Sequence, residues 1–202
     1  MKLLFISLGC DKNLVDSEEM LGMLAADGHQ IVDDEDEAEV IIINTCCFIG
    51  DAKEESVNTI LEMAEKKKAG TCKVLIVTGC MAQRYKKEIS EEIPEVDAIL
   101  GTTSYGEIVK AVKEAQAGRH FEEYKSIDYL PDISGKRMLT TGGHFAYLKI
   151  AEGCDKHCTY CIIPKLRGSY RSVPMEELVK EASSLAQQGV KELILVAQET
   201  TV

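Results

Sequence analysis

The sequence has no tryptophan, few aromatic residues and no excess of positive charge. Aromatic side chains make up 5% of its 202 residues, and the formal net charge at pH 7 is -11. Proteins that bind nucleic acids stably neutralise phosphates with Lys and Arg, so this charge predicts no stable nucleic-acid binding and suits a basic protein partner better. Hydrophobic residues, at 45%, are enough for a packed core, which excludes a disordered chain.

A long hydrophobic run is also missing, because no stretch approaches the ~20 apolar residues of a membrane helix. The start of the chain, MKLLFISLGC, resembles a lipoprotein signal, but its apolar run from Leu3 to Leu8 is shorter than a secretory signal requires. Ser7 also stands where the lipid-attachment motif usually has leucine. We therefore expect a cytoplasmic protein without a membrane anchor, in which the cysteines stay reduced for metals or catalysis.

The string GCDKHCTYC contains three cysteines at the spacing C-x₃-C-x₂-C, namely Cys154, Cys158 and Cys161. This spacing is typical of a 4Fe-4S cluster held at three corners, which leaves the fourth iron open to a ligand from outside the protein. A zinc site of three cysteines and one histidine is the alternative. It is disfavoured because His157 and Cys158 are adjacent and would both have to reach one tetrahedral ion. His157 is instead interpreted as a solvated loop residue.

Apolar runs rich in β-branched residues alternate with amphipathic helical patterns from residue 3 to residue 117. This alternation predicts an α/β fold with a doubly wound parallel sheet that is covered by helices on both faces. The predicted strands are 3–8, 40–44, 74–78 and 98–100. The predicted helices are 15–26, 51–69, 83–93 and 105–117.

Three more cysteines each follow one of these buried strands after a single intervening residue, namely Cys10, Cys46 and Cys80. The carboxyl ends of parallel strands lie along one edge of the sheet, where such folds bind ligands, so we expect these thiols to converge. The convergence predicts a second 4Fe-4S site with an open iron. The alternative is three inert core cysteines at strand ends. Gly9 and Gly79 favour the cluster, because glycine adopts positive φ and lets the backbone approach a bulky cofactor.

The two remaining cysteines are interpreted as core residues. Cys47 is adjacent to Cys46, so its side chain should point away from the site and into the core. Cys72 precedes the strand 74–78 and should therefore lie at the opposite edge of the sheet. Reduced cysteine behaves as a small apolar residue at such positions.

The region 118–143 lacks hydrophobic periodicity and predicts a connection between two units. It contains the turn-forming residues Pro131, Gly135, Gly142 and Gly143. After it, the sequence predicts one βαβ unit, with a strand over 145–150, a helix over 174–188 and a strand over 192–197. Two parallel strands cannot close a barrel, so the chain looks like the N-terminal part of a longer protein. The predicted organisation is a domain over 1–120, a linker over 121–143 and the start of a second domain over 144–202.

Four strings that cover nearly the whole chain resemble the radical S-adenosylmethionine (SAM) methylthiotransferases. They are SLGCDKNLVDSE at 7–18, NTCCFI at 44–49, TGCMAQRY at 78–85 and KIAEGCDKHCTYCIIPKLRGSYRSVP at 149–174. The Asp-Lys-Asn after Cys10 and the string IPKLRGSYRS resemble the branch that modifies small-subunit ribosomal protein S-twelve. The branches that act on tRNA usually have a Gln-Met-Asn type of sequence there. The resemblance implies that the second domain is the start of a radical SAM (β/α) partial barrel.

The resemblance implies two 4Fe-4S clusters and SAM as cofactors. An auxiliary cluster would be held by Cys10, Cys46 and Cys80, and a SAM cluster by Cys154, Cys158 and Cys161. Tyr160, Gln198 and Glu199 match positions that contact SAM. The family converts a C-H bond to C-SCH₃, in this branch on the β-carbon of an aspartate, with SAM as both methyl donor and radical source. The sulfur donor and the electron donor stay unidentified.

Two other functions remain open from the sequence. A tRNA methylthiotransferase would share every cluster ligand, and a non-catalytic iron-sulfur or zinc-binding module would share the metal sites. Lys165, Arg167 and Arg171 are interpreted as a solvated basic loop, with contact to SAM or to a substrate carboxylate as the alternative.

Overall fold

The structure, a computed structural model, describes residues 1–131 and 137–200. Its first unit is a parallel β-sheet with helices on both faces, and its second unit is a smaller βαβ arrangement. The strands of the first unit are β1 Lys2–Ser7, β2 Gln30–Ile31, β3 Val40–Thr45, β4 Val74–Gly79, β5 Ala98–Leu100 and β6 Phe121–Glu123. Its helices are α1 Asp11–Ala26, α2 Gly50–Lys68, α3 Cys80–Arg84, α4 Lys86–Glu92 and α5 Ile108–Gln116, with a 3₁₀ turn at Tyr105–Glu107.

The strand order of the sheet is β2-β1-β3-β4-β5-β6, and every neighbouring pair is parallel. The chain moves outward from β1 to β2 and then returns to the other side of β1 to form β3. The carboxyl ends of β1 and β3 therefore flank the point where the strand order reverses, which is where open α/β sheets bind their ligands.

Alternate residues of the strands pack on opposite faces of the sheet, as in strands that are buried on both sides. One face, with Ile41, Leu75 and Ile99, packs against α2, α3 and α4. The other face, with Val40 and Ile76, packs against α1 and α5. The doubly wound α/β fold predicted from the sequence is therefore confirmed.

Two helix predictions differ from the structure. Helix α1 begins at Asp11, whereas the sequence predicts its start at residue 15. The prediction began too late because the first turn of the helix is polar and shows no hydrophobic period. The predicted helix 83–93 is two helices, α3 and α4, which meet at Tyr85 in a non-helical conformation with φ -116° and ψ 34°. Helix α3 begins at Cys80 itself, so this cysteine lies on the first turn of a helix.

The segment predicted as a linker contains a strand of the first sheet. Phe121–Glu123 forms β6, which pairs with β5 through Ala98↔Phe121 and Leu100↔Glu123. The sequence predicts a connection from residue 121 because a short edge strand carries too few residues for a visible hydrophobic period. Gly135 lies outside the described residues. The other domain boundaries stay a prediction.

The second unit contains two parallel strands joined by a crossover helix. Its elements are β7 Phe145–Lys149, β8 Ala151–Glu152, α6 Ile163–Arg167, β9 Arg171–Ser172, α7 Met175–Gln187 and β10 Glu192–Val196. Strand β7 pairs in parallel with β10, and β8 pairs antiparallel with β9. Within the described ranges, none of the helices combines the length and the apolar character needed to cross a membrane.

Candidate functional site

Three cysteines gather at the carboxyl edge of the six-stranded sheet. Cys10 immediately precedes α1, Cys46 immediately follows β3, and Cys80 opens α3. Cys46 and Cys80 are buried and Cys10 is exposed, and all three line one cavity. The structure thus brings them together at the edge where the sequence analysis expects them. Their role as metal ligands stays a prediction.

Gly9 and Gly79 lie immediately before two of these cysteines, with φ of +99° and +92°. A Cβ on Gly9 would lie 2.7 Å from Cys46 Cβ, and a Cβ on Gly79 would lie 2.6 Å from the carbonyl oxygen of Thr45. Both the backbone conformation and the close approach therefore require glycine. The predicted positive φ at these two positions is confirmed.

Asn13 connects the ends of the strands that carry the cysteines. Its side-chain amide donates to the carbonyl oxygens of Leu8 and Thr45, each at 3.0 Å. Its Oδ1 lies 3.9 Å from Cys80 Sγ. The sequence did not predict this role for Asn13, although its position one turn after Cys10 was the available signal.

Cys46 and Cys47 are adjacent but point to different surroundings. The backbone N-H of Cys46 donates to Ser56 Oγ at 3.0 Å, and Ser56 Oγ donates to the Cys46 carbonyl oxygen at 2.8 Å. Cys47 packs among core residues of the face covered by α2, and burial raises the pKa of its thiol to about 12. Cys47 therefore stays a neutral thiol at pH 7 unless a metal binds it.

Cys72 is buried on the amino side of β4, and its thiol donates to the Val74 carbonyl oxygen at 3.0 Å. Burial raises the pKa of this thiol as well. The amino side of the strand is the end of the sheet opposite the candidate site, as the sequence analysis expects.

The second triplet lies in the loop between β8 and α6. The N-H of Cys154 donates to the Gly168 carbonyl oxygen at 3.2 Å, so the residue after α6 holds the start of the loop. Gly153 has a φ of +73°, and a Cβ there would collide with the Ser169 carbonyl oxygen. The N-H of Gly153 donates to Gln198 Oε1 at 3.1 Å. A glycine directly precedes three of the six candidate ligands. The sequence analysis used this pattern for Gly9 and Gly79, and the same pattern could have indicated the role of Gly153.

One cavity of about 1160 Å³ is lined by all six cysteines of the two triplets. Tyr160, Gln198 and Glu199, the residues expected to contact SAM, line the same cavity. Tyr160 is 91% exposed, and Glu199 Oε2 lies 3.5 Å from Lys156 Nζ. The two units therefore present their cysteines to a shared space, which is roomy enough for more than one bulky group.

The donor set, six cysteines in two triplets, fits iron-sulfur clusters, which cysteine thiolates hold. In the part of the chain that the structure describes, no group of three His, Cys, Asp or Glu side chains has the arrangement that would hold one metal ion. A tetrahedral zinc ion brings its thiolates to roughly 4 Å from one another, whereas a cubane binds each thiolate at a different corner and holds them farther apart. His157 is exposed, in agreement with a loop residue.

Arg167 is buried between the two units, with 3% of its side chain exposed. Its Nη1 contacts Asp16 Oδ2 at 2.7 Å, and its Nη2 donates to Asn13 Oδ1. The interpretation of this segment as a solvated basic loop was therefore wrong for Arg167, whereas Lys165 is exposed. Burial raises the pKa of the Cys80 thiol, while the charge of Arg167 and its hydrogen bond to the thiol act in the opposite direction.

Lys149 is a second buried cation at this interface. Its Nζ contacts Asp16 Oδ1, and it lies 2.7 Å from Glu152 Oε1. Asp16 belongs to α1 of the first unit, whereas Lys149 and Glu152 belong to the second unit. The two buried carboxylates are thus balanced by two buried cations across the interface.

Comparison with known proteins identifies both units. Residues 2–101 match the model of the uncharacterized protein family UPF0004, and residues 148–202 match that of the radical SAM superfamily. Radical SAM proteins use SAM and an iron-sulfur cluster, so the match implies that the second unit binds both.

Curated relatives match along the whole chain. The chain is 65% identical over 202 residues to the ribosomal protein uS12 methylthiotransferase RimO of Lachnoclostridium phytofermentans, and the match covers 100% of the chain and 46% of that relative. It is 52% identical over 201 residues to the protein of the same name from Clostridioides difficile, covering 100% of the chain and 45% of that relative. The chain thus spans about half the length of the curated relatives it matches.

Proposed function

The chain belongs to the radical SAM methylthiotransferase family, and from this premise we propose that the protein adds a methylthio group to the β-carbon of an aspartate in ribosomal protein uS12, the S-twelve protein of the small subunit. The observation that carries the proposal is the shared cavity, which is lined by both cysteine triplets. A transfer that needs an activated carbon and a sulfur-bearing group requires both sites to face one substrate atom.

We propose two clusters in this cavity. Cys154, Cys158 and Cys161 would hold the cluster that binds SAM, and Cys10, Cys46 and Cys80 would hold the auxiliary cluster. When bound, a three-thiolate cluster with SAM supplies the one-electron chemistry that generates a radical able to remove hydrogen from an unactivated carbon. The protein side chains hold these groups and keep the reacting carbon within reach of both.

Three further residues are proposed to bind SAM. Tyr160 belongs to the cysteine loop, lines the cavity and is almost fully exposed. Gln198 and Glu199 follow β10, and Gln198 accepts a hydrogen bond from the residue before Cys154. This hydrogen bond supports a role for Gln198 in orienting the cysteine loop as well as SAM.

The substrate proposal rests on charge and on the relatives. Ribosomal proteins that bind RNA are basic, and a chain with a net charge of -11 attracts a basic partner and repels a polyanion. The relatives that match over the whole chain are named for methylthio transfer to uS12. We also propose that the protein acts in the cytoplasm, where cysteines stay reduced.

The test is mass spectrometry of uS12 and of digested tRNA from cells with the gene, without it, and complemented with a Cys158→Ala variant. We expect uS12 to lose a methylthio mass on its aspartate in the deletion strain and in the variant, and to regain it with the unchanged gene. Complementation with Cys72→Ala is the matched control, because this cysteine lies at the opposite edge of the sheet and its loss should leave the modification intact.

Two outcomes would overturn the proposal. Loss of a methylthio group from tRNA, with uS12 unaffected, would show that the substrate is tRNA. Unchanged uS12 and tRNA, together with no formation of 5'-deoxyadenosine by the purified protein, would indicate a non-catalytic metal-binding module.

A further inference from the structure

Helix α6 carries Arg167 from the second unit into the core of the first. Leu166 packs with the core residues beneath α2 and α3, and its carbonyl oxygen accepts a hydrogen bond from Thr102 Oγ1 at 2.8 Å. Arg167 ends the helix, and its own carbonyl oxygen accepts a hydrogen bond from Arg171 Nη2 at 2.9 Å. These two hydrogen bonds fix the backbone of α6 at the residue that carries the guanidinium.

The two ends of the guanidinium group meet different partners. Nη1 contacts Asp16 at 2.7 Å and lies 3.4 Å from Glu152 Oε1. Nη2 donates to Asn13 Oδ1, the same oxygen that lies 3.9 Å from Cys80 Sγ. The carboxylates thus gather at one side of the cation, and the other side faces the strand end that carries Cys80.

Asn13 fixes this orientation because its other polar atoms are already committed. Its Nδ2 donates to Leu8 and Thr45, so only Oδ1 remains to accept the hydrogen bond from Arg167. Asn13 is completely buried. The same amide therefore spaces the strand ends that bear the auxiliary triplet and aims a fixed positive charge at them.

A buried positive charge has a defined effect on a nearby redox centre. Reduction adds one electron, so a cation that is close and poorly screened stabilises the reduced form more than the oxidised form. Net charge and hydrogen bonds to the sulfurs are among the factors that set the potential of an iron-sulfur cluster. Arginine suits this position because its guanidinium remains charged when buried.

We propose that Arg167 is a positioning residue that directs a fixed positive charge toward Cys80 and thereby raises the reduction potential of the auxiliary cluster. The inference rests on the proposed function, because it requires a cluster at the Cys10, Cys46 and Cys80 site. It assigns to a residue of the radical SAM unit a role in the neighbouring unit. Asp16 sets the size of the effect, since its carboxylate partly neutralises the guanidinium.

The test is a potentiometric titration of the reconstituted protein, monitored by electron paramagnetic resonance. Cys154, Cys158 and Cys161 are replaced by Ala so that only the auxiliary cluster contributes signal. We expect Arg167→Gln to shift the midpoint potential to more negative values. Arg167→Lys keeps the positive charge and should leave the potential close to that of the parent. Asp16→Asn should shift the potential the opposite way, because it removes the neutralising carboxylate and leaves the cation in place.

Arg137→Gln is the matched control. Arg137 is equally buried and also joins the two units, since it contacts Glu18 Oε2 at 3.0 Å and Glu181 Oε1 at 2.6 Å. It does not contact the cysteines, so its loss should leave the midpoint potential unchanged. A merely structural role for Arg167 predicts instead that both arginine variants affect the cluster in the same way.

The inference is overturned if Arg167→Gln leaves the potential unchanged, or if it and Asp16→Asn shift it in the same direction. If Arg167→Gln does not fold, the Asp16→Asn variant decides alone, because an unchanged or more negative potential there contradicts the proposal. Failure of the proposed function looks different, since the parent protein with the three Ala substitutions would then bind no cluster to titrate.

Discussion

At the scale of single residues, the two candidate centres share a backbone device. A glycine with positive φ precedes two cysteines of the first triplet and one cysteine of the second: the pairs are Gly9 and Cys10, Gly79 and Cys80, and Gly153 and Cys154. In each pair the glycine removes a side chain that would collide with a neighbouring group. The backbone therefore fixes the positions of these three cysteines, whatever their sulfurs contact.

Cysteine substitutions distinguish ligands from core residues. With two 4Fe-4S clusters, the protein reconstituted without oxygen should bind about eight irons, and Cys46→Ala should reduce this to about four. Cys47→Ala should retain about eight irons, because that thiol lies in the core and only an apolar contact is lost. Iron and sulfide analysis of the purified variants gives the measurement.

The reverse pattern would contradict the assignment. If Cys47→Ala loses iron and Cys46→Ala keeps it, the ligand assignment is wrong by one residue. If neither variant loses iron, the cysteines at the sheet edge hold no cluster.

At the scale of elements, the long strands were predictable and the short strands at the two edges of the sheet were not. Continuous β-branched runs such as Val40–Thr45 indicate burial on both faces, and they place the cysteines at strand ends without any further information. The edge strands β2 and β6, by contrast, have two and three residues, too few for a period. They form because the neighbouring strands, β1 and β5, offer free hydrogen-bonding groups.

The buried cations lay beyond the reach of sequence analysis for a different reason. Arg167 and Asp16 are separated by 151 positions, and a basic residue in a polar string looks like a surface residue. Only the docking of α6 onto the first unit buries Arg167 and brings it to Asp16. Asn13 was likewise visible as a polar residue but not as a connection between strand ends.

The junction of β4 and α3 gives a prediction at this scale. Gly79→Ala should lower the free energy of unfolding by more than ~3 kcal/mol, because it combines an unfavourable backbone conformation with a steric clash. Gly28→Ala is the control, since Gly28 has a φ of +87° with no atom within 4 Å of a Cβ. It should cost only about 1 kcal/mol. Chemical denaturation of the iron-free protein measures both, and equal costs would show that the close contact at Gly79 is unimportant.

At the scale of the whole molecule, the two units are joined by buried charges rather than by apolar contacts alone. Such pairs contribute little net stability, because desolvation offsets most of their attraction, but they penalise any arrangement that separates the partners. The interface therefore specifies one relative placement of the two triplets. One carboxylate there is Glu19, whose electrostatic neighbours include Lys149, Asp16 and Tyr105.

Glu19 gives the interface a pH dependence. Burial raises the pKa of this carboxyl to about 7, an effect that Lys149 partly opposes. The folded protein then holds a proton that the unfolded chain releases near pH 4.5, so this group makes the unfolding free energy fall as the pH rises from about 4.5 to about 7. Glu19→Gln should remove the decrease and stabilise the protein by up to about 3 kcal/mol at pH 8.

Denaturation of the parent and of Glu19→Gln at pH 5 and pH 8 checks this prediction. The two proteins should be nearly equally stable at pH 5 and should differ at pH 8. Glu176→Gln on the exposed first turn of α7 is the control and should change neither value. A Glu19→Gln variant that is less stable than the parent at pH 8 would show that the carboxylate is ionised and well paired.

The amide of Asn13 and the hydroxyl of Ser56 connect the strand ends that carry Cys10 and Cys46. They do so through hydrogen bonds to backbone groups, none of which involves a sulfur. In small zinc domains the metal is the cross-link that makes the chain fold, and removing it unfolds the protein. Here hydrogen bonds within the polypeptide hold the ends of β1 and β3 in place. We therefore expect the proposed auxiliary cluster to be removed and rebuilt without unfolding of the chain.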